Sequence, residues 1–454
     1  MKNKQLKITI KQKDNSFIVK AKDFFTAKIT YPKNFFDNQD VISRQNLIAN
    51  FAFNRTRQLG LYFPKISYNY PKPIIKNFVE QGVRQDLPYI NYDKKIKVSE
   101  QIKTFNQTEI KFTKKNDFNR VVPIKSPLKD NIILSMSFGK DSLLSYALCK
   151  EIGLDPKLVF INDMATWNPQ EAVLKHQIMK NFGEDQKKEI LFVEDNSDDI
   201  YDKKNLKNIN EDLAATNAML AFALQLIPVA YHYRAKYIMF GNEKNLDDYF
   251  IDGENFKTYL SSDQSTTYMR GQNKYLNLLT EGNIKVISII KPLFNLAEMQ
   301  IINHRYPYLF KYLMSCTSQK ITTEKGCCNC ITCAWTYLYG QALGYDPRNL
   351  GLKANMFEKK YRRHFVLFNK KMDVVSEVVP NAHDEQLLAF LMAMRRGGKG
   401  YLINEFKKHF LSEALRKEKK LRHKFFGIHS AEMIPEEYRE KILNIYKQEL
   451  HHLR

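Results

Sequence analysis

The sequence has no run of eighteen or more apolar residues, the length a conventional membrane-spanning helix needs. Its start, MKNKQLKITIKQKD, lacks the apolar stretch of a secretory signal. The expectation is a cytoplasmic protein with no membrane partner. Acidic residues are in short supply: 49 Asp and Glu stand against 71 Lys and Arg, for a formal charge of +22. A balance this basic favours polyanionic partners, nucleic acid among them. Lysine is nonetheless spread along the whole chain with Asn and Ile, which is equally the pattern of a solvated surface in a protein of biased composition. Cysteine is scarce outside one segment, since of six only Cys149 lies away from residues 316–333. Such crowding is foreign to a disulfide framework in a reducing compartment and normal for a metal site. No internal repeat or long low-complexity linker is visible.

What is present is enough apolar material for more than one core. The 454 residues are 44% hydrophobic and 13% aromatic, which predicts two or three domains and argues against global disorder. Residues 1–125 contain short alternating segments (LKITIKQ, SFIVKA, EIKFTKK) separated by turn-forming pairs, with one helix-like stretch around Arg44 to Leu59. They read as a small β-rich or α+β domain without assignable chemistry. From Asn131 the texture becomes strand, glycine-containing turn and helix, repeated. Strands are expected at Ile132–Ser135, Leu158–Asn162, Glu189–Val193, Tyr237–Phe240 and Lys285–Ile290. Helices are expected at Ser142–Ile152, Gln170–Phe182, Glu211–Tyr233 and Ala297–Asn303. Short β-branched runs alternating with helical periods predict an α/β fold, a Rossmann-like, doubly wound parallel sheet with right-handed crossovers over residues 126–344. A helical C-terminal extension, 345–454, follows, with the helical pattern after Cys333 covering Trp335–Leu343, Asp384–Met394 and Glu436–Leu450. Within it, the basic run Ala414 to Phe426 could meet a phosphate backbone, although a solvated face is the commoner explanation.

The strongest local signal is the strand Ile133-Leu134-Ser135 running into Met136-Ser137-Phe138-Gly139-Lys140-Asp141-Ser142 and then a helix. Unpaired amides at a helix N-terminus and the positive end of its dipole bind anions. Ser137 and Ser142 add hydroxyls, Lys140 adds charge, and Gly139 permits close backbone approach. Asp141 suits a role in holding Mg2+, which takes one or two carboxylates together with phosphates. The spacing is not that of a Walker A loop. Over the carboxyl ends of the strands, Ile161 and Asn162, and Gly241, Asn242 and Glu243, occupy the rim where nucleotide or substrate binds in such sheets; each is also an ordinary loop position.

Cys327, Cys330 and Cys333 form a CxxCxxC run, with Cys316 eleven residues upstream. Four thiolates at tetrahedral Zn2+ distances make a closed structural site; an iron–sulfur cluster uses similar ligands and stays open as an alternative. Cys328 is a fifth candidate, and Cys149 reads as a core residue.

Ser137 to Ser142 resembles the SGGxDS loop of the PP-loop ATP pyrophosphatase superfamily, of the HUP type, with Phe138 at a position where glycine is usual. The order SFGKDS, KPLFNLAEMQII (291–302), Ser315-Cys316 and CxxCxxC resembles the 7-cyano-7-deazaguanine synthase family, over roughly Asn131 to Gly344. That resemblance implies ATP binding by Ser137, Phe138, Gly139, Lys140, Asp141 and Ser142, with Lys140 and Asp141 catalytic. It also implies zinc at Cys316, Cys327, Cys330 and Cys333, and a C–N bond-forming ligase that adenylates a carboxylate with release of pyrophosphate and AMP. Departures mark a divergent member: Cys328 stands where that family usually has glycine, and GNEKNLDDYF replaces its usual substrate loop. Enlarged proteins of this kind resemble components of prokaryotic antiviral defence systems, with a small molecule or modified macromolecule as the acceptor and partner proteins in prospect. A PP-loop epimerase of a peptidoglycan precursor and a tRNA thiolase are further enzyme readings; an ATP-binding sensor or scaffold is the non-enzyme one.

Overall fold

The computed structural model of the chain describes residues 5–37, 39–92, 94, 96–114, 120–121, 129–163, 168–314, 316, 325–369 and 380–454. Apolar–polar alternation, interrupted in β2 by the apolar run Phe17-Ile18-Val19, makes the first three segments a meander, β1 (Gln5–Lys13), β2 (Ser16–Ala21) and β3 (Phe25–Thr30). There follow α1 (Val41–Thr56), β4 (Lys65–Tyr68), α2 (Lys76–Ile90), α3 (Val98–Asn106) and β5 (Glu109–Phe112). The near-continuous apolar runs further on become β6 (Lys129–Ser135), β7 (Lys157–Asn162), β8 (Ile190–Asp195) and β9 (Ala235–Met239). They alternate with α4 (Lys140–Glu151), α5 (Pro169–Gln186) and α6 (Ala218–His232). A two-stranded hairpin, β10 (Tyr249–Ile251) and β11 (Lys257–Tyr259), precedes α7 (Thr266–Thr280), β12 (Lys285–Ile287) and α8 (Asn295–Arg305). Helices α9 (Ile331–Leu343), α10 (Pro380–Arg395), α11 (Tyr401–His409), α12 (Leu411–Phe425) and α13 (Glu436–Leu450) complete the chain.

Ten strands form one sheet in the order β12-β9-β6-β7-β8-β3-β2-β1-β4-β5. The five α/β strands β12, β9, β6, β7 and β8 are parallel throughout, so the expected α/β character holds. The sheet is mixed rather than wholly parallel, because β3 joins β8 antiparallel and β1, β2 and β3 pair antiparallel. The N-terminal segment is thus an extension of the same sheet, and it shares a core with the α/β part. The expected boundary at 125/126 lies outside the described residues.

Alternation assigns the two faces. Ile132, Leu134, Leu158 and Phe160 pack with α4, α5, α8 and the C-terminal helices, whereas Ile133, Val159 and Ile161 pack with α1, α2, α6 and α7. Burial on both sides is why these strands read as unbroken apolar runs.

Two expected elements differ, and one helix of the α/β part was missed. The helix expected over Glu211–Tyr233 breaks into a single turn at Glu211–Ala215 and α6, because Asn217 takes a left-handed φ of 51°. Its amide donates to Asp86 Oδ2 at 3.1 Å, and Gly82 leaves room for its side chain where a Cβ would stand 1.8 Å from Oδ1. The strand expected over Lys285–Ile290 stops at Ile287, since the Ser288 amide turns to Met433 O (3.2 Å) and its hydroxyl to Asn242 O (2.8 Å). Helix α7 was not expected. Its signals are Ser265, whose side chain accepts from Tyr268 N, and the spacing of Tyr268, Met269, Gln272, Leu276 and Leu279.

Candidate functional site

In chain order β6, β7, β8, β9 and β12 are first to fifth, and they lie 5-4-1-2-3 across the sheet. The order therefore reverses between β6 and β9, and the crevice above their carboxyl ends is where open α/β sheets bind ligands. The loop after β6 is Met136 to Gly139, and the loop after β9 begins at Phe240-Gly241. The second loop touches the first turn of α4: a Cβ on Gly241 would lie 2.5 Å from Asp141 Cβ and 3.2 Å from Ser142 N.

Gly139 caps α4 with extended backbone and no side-chain hydrogen bond, so the amides of Lys140, Asp141 and Ser142 have no intrahelical partner. Ser142 Oγ donates to Gly139 O (3.2 Å), and Ser137 Oγ sits 3.4 Å from Ser142 Oγ. Two hydroxyls and a turn of free amides thus face one space, a standard anion-binding arrangement.

Phe138 is left-handed, with φ 62°, the backbone state that glycine adopts without penalty. Its ring is fully buried, 5.5 Å from that of Phe182. For a side chain the left-handed state costs roughly 1–2 kcal/mol, and burying a phenylalanine returns about 1.5–3 kcal/mol, so packing holds the loop in shape. Phe138 O accepts from Met314 N at 2.9 Å, which ties the loop to the segment leading to Cys316.

Lys140 Nζ pairs with Asp141 and, at 2.8 Å, with Glu298 Oε2. Burial opposes its charge, but Asp141 and Glu298 outweigh that and hold it well above its usual value. Burial also raises Glu298 well above the carboxylate range against the pull of Lys140, and it pushes Glu243 up to about 7. Glu298 is 0% exposed, and its Oε1 has no partner among the described residues. Three carboxylates around one lysine suit a site that also takes a divalent cation with its phosphates. Lys291, buried behind them, donates to Glu243 O (2.8 Å) and Gln264 O (3.0 Å), fixing the loop after β9. Glu385 of α10 accepts from Leu296 N (2.9 Å) and Asn245 Nδ2 (2.8 Å), so the C-terminal helices brace α8, which carries Glu298.

The structure therefore gathers Ser137, Gly139, Lys140, Asp141, Ser142, Gly241 and Glu243. It leaves Ile161 in the core beneath α6, turns Asn162 Nδ2 to Glu194 (2.7 Å), and buries Asn242 against Met269 Sδ (3.4 Å). Glu298, Lys291 and Glu385 escaped sequence reasoning. A charged residue inside an apolar helical stretch, as Glu298 is among Leu296, Met299 and Ile302, was the available signal. Next to this site, beyond β7, lies a cavity of about 970 Å³ lined by Asp163, Asp195, Asp198, Tyr201 and Arg55. Burial, and then the neighbouring Asp198, push Asp163 up to about 7.

The four predicted cysteines converge, their sulfurs all within 4.8 Å of one another. Cys316 and Cys330 sulfurs are 3.8 Å apart, and those of Cys327 and Cys333 are 3.9 Å apart. A tetrahedron with 2.3 Å zinc–sulfur arms has edges of about 3.8 Å, so the donor set fits such a metal. Asn329 N donates to Cys327 Sγ (3.3 Å) and Cys333 N to Cys330 Sγ (3.4 Å), which orients two thiolates. Cys328 adopts φ 50° and points its sulfur to Gly351 O, away from the cluster. Cys149 is buried, and burial pushes its thiol up to about 12. Ser315 lies outside the described residues. No helix of the described residues is long and apolar enough to cross a membrane. No protein-family model matches the chain, and no curated protein sequence matches it.

Proposed function

We propose that the chain is an ATP-dependent adenylating enzyme of the PP-loop type, a divergent relative of 7-cyano-7-deazaguanine synthases. One observation carries the reading: the uncapped first turn of α4, with Ser137, Lys140 and Ser142, sits at the reversal of strand order, against the loop of Gly241. The β and γ phosphates of ATP would rest on the amides of residues 140–142 and the two hydroxyls. Asp141, with Glu298 and Glu243 nearby, would hold Mg2+, which would supply charge neutralisation on the phosphates. A substrate carboxylate attacks the α-phosphorus, the bond to the bridging oxygen breaks, and pyrophosphate leaves toward Lys140. A nitrogen nucleophile then displaces AMP. Positioning and fixed charge supply most of the rate.

The four-cysteine centre is read as closed structural zinc. With all four positions filled by thiolates it has no chemistry of its own, and through Met314 and Phe138 it would fix the phosphate loop.

A second reading, ATP occupancy without turnover, is favoured by the engagement of Lys140 with a buried Glu298. Incubation with labelled ATP, Mg2+, ammonia and 7-carboxy-7-deazaguanine separates the two. AMP and pyrophosphate with nitrile support the synthase reading in full, and AMP without nitrile redirects the acceptor toward a macromolecule. ATP bound without either product overturns turnover.

A further inference from the structure

The N-terminal strands turn one face to α1 and α2 and leave the other to solvent. Leu6 and Ile8 point inward and Lys7, Thr9 and Lys11 outward, and the same alternation runs through β2 and β3. Pairing sets the residues of this face in rows: Lys111 and Lys7 flank a buried Ser67, Thr9, Lys20 and Thr26 form the next, and Lys11 and Lys28 flank a half-buried Ile18. Lys7, Lys11, Lys20, Lys28 and Lys111 are all exposed. Among the described residues none of the five has a carboxylate at ion-pair distance, whereas Glu109, on the same face, is already paired with Lys65 at 2.8 Å. Past β3 the face meets exposed Glu194 of β8, opposite Thr30. The groove of about 1020 Å³ beside α5 beyond it is largely apolar, with Ala172, Val173, Ile190 and Phe192 in its lining and Lys188 turned to Asp155, so the basic array ends at β3.

We propose that this open lysine face binds the phosphate backbone of double-stranded nucleic acid. Neighbouring strands are about 4.8 Å apart, and Lys7 and Lys11 are about 13 Å apart along β1 at strand rise, so the charges form a flat array rather than a pocket for one anion. A duplex presents one negative charge per about 1.7 Å of axis, a line charge denser than the mixed surface of a protein. The rows carry no aromatic ring on which an unpaired base could stack, which favours duplex over single strand. They offer contacts to phosphate rather than base edges, so the binding reads no sequence. The basic helix α12 is the weaker candidate, because Glu413 and Glu418 pair with its own Lys417 (2.7 Å) and Arg422 (2.8 Å). The inference does not depend on the adenylation reading.

The test is fluorescence anisotropy of a labelled random-sequence DNA duplex with the full chain across a salt series. The expected result is affinity that falls with salt, with a log–log slope of about −0.9 per phosphate contacted. The Lys11→Glu/Lys20→Glu/Lys28→Glu variant should then lose about tenfold or more in affinity, with an unchanged melting temperature. Lys419→Glu/Lys420→Glu in α12 should retain wild-type affinity. No salt-dependent binding, equal losses in the two variants, or equal affinity for anionic vesicles or polyglutamate would overturn the proposal. Pyrophosphate release measured on the same preparations keeps the two readings apart: release without duplex binding sinks this inference alone, and duplex binding without release sinks only the enzymatic one.

Discussion

Phe138 carries a left-handed backbone and a fully buried ring at once, so its two contributions can be separated by substitution. Phe138→Ala keeps the strain and loses the packing, and should cost about 3–5 kcal/mol of stability in urea denaturation. Phe138→Gly loses the same ring but relaxes the backbone, and should cost less by roughly 1 kcal/mol. A glycine variant less stable than the alanine variant would contradict this account of the loop.

A second residue-scale prediction concerns the carboxyls that cap α6. Asp86 accepts from Ser262 Oγ and Asn217 N, and Asp263 accepts from Met219 N. Burial, and then the Asp263 charge, push Asp86 up to about 8, against roughly 3.9 in an unfolded chain. Between those values the folded protein holds a proton that the unfolded chain has released. Stability must therefore fall as pH rises from about 4 to about 8. Asp86→Asn should flatten that decline in unfolding curves taken at pH 5 and pH 8; an undiminished decline would remove Asp86 as its source. Such residues were illegible in the sequence, because Asp86 and Asp263 are 177 positions apart and nothing local marks either as buried.

At the scale of elements, the CxxCxxC run is a short turn whose sulfurs, with that of Cys316, are placed as a metal would need them, and it is continued by α9. Cys330 both supplies a sulfur and caps that helix, accepting from Cys333 N. Cys330→Ser should lower the metal content of purified protein by about one equivalent and depress stability at the same time, since metal binding and folding are linked. Colourless protein containing zinc supports a closed S4 site; iron with visible absorption would replace zinc by a cluster. A variant that keeps full metal would show that the four sulfurs are not the ligand set. This cysteine cluster was legible because its members are crowded in sequence and their spacing is set by local turns. Strands β6 to β9 and helices α4, α5 and α8 were legible for a related reason: each buries a face of regular period. The break at Asn217 and the end of β12 were not, because both are set by partners distant in sequence, Asp86 and Met433.

At the scale of the whole molecule, the N-terminal strands extend the α/β sheet and the C-terminal helices brace one of its faces. Glu385 reaches from α10 to the start of α8, and Tyr446 of α13 donates to Ile289 O at 2.7 Å just beyond β12. The site between β6 and β9 is thereby assembled from residues between Ser137 and Glu385. The loop itself was readable from strand, glycine and helix start, and the rim at Gly241 followed from the expected topology. The extension of the sheet by β3 is a product of long-range packing, which no local pattern announces, whereas Glu298 left only the weak trace of one charge in an apolar helical stretch.

The proposed function turns on whether the loop at the head of α4 holds a triphosphate for cleavage between its α and β phosphates. The most direct measurement is pyrophosphate and AMP release from labelled ATP by wild-type protein, Lys140→Ala and Asp141→Ala, each shown folded by circular dichroism. The account predicts Mg2+-dependent release by the wild type and a loss of about a hundredfold or more in both variants, the scale on which removal of a single transition-state contact acts. Release that persists at the wild-type rate in the variants, or ADP and phosphate in place of AMP and pyrophosphate, would contradict it.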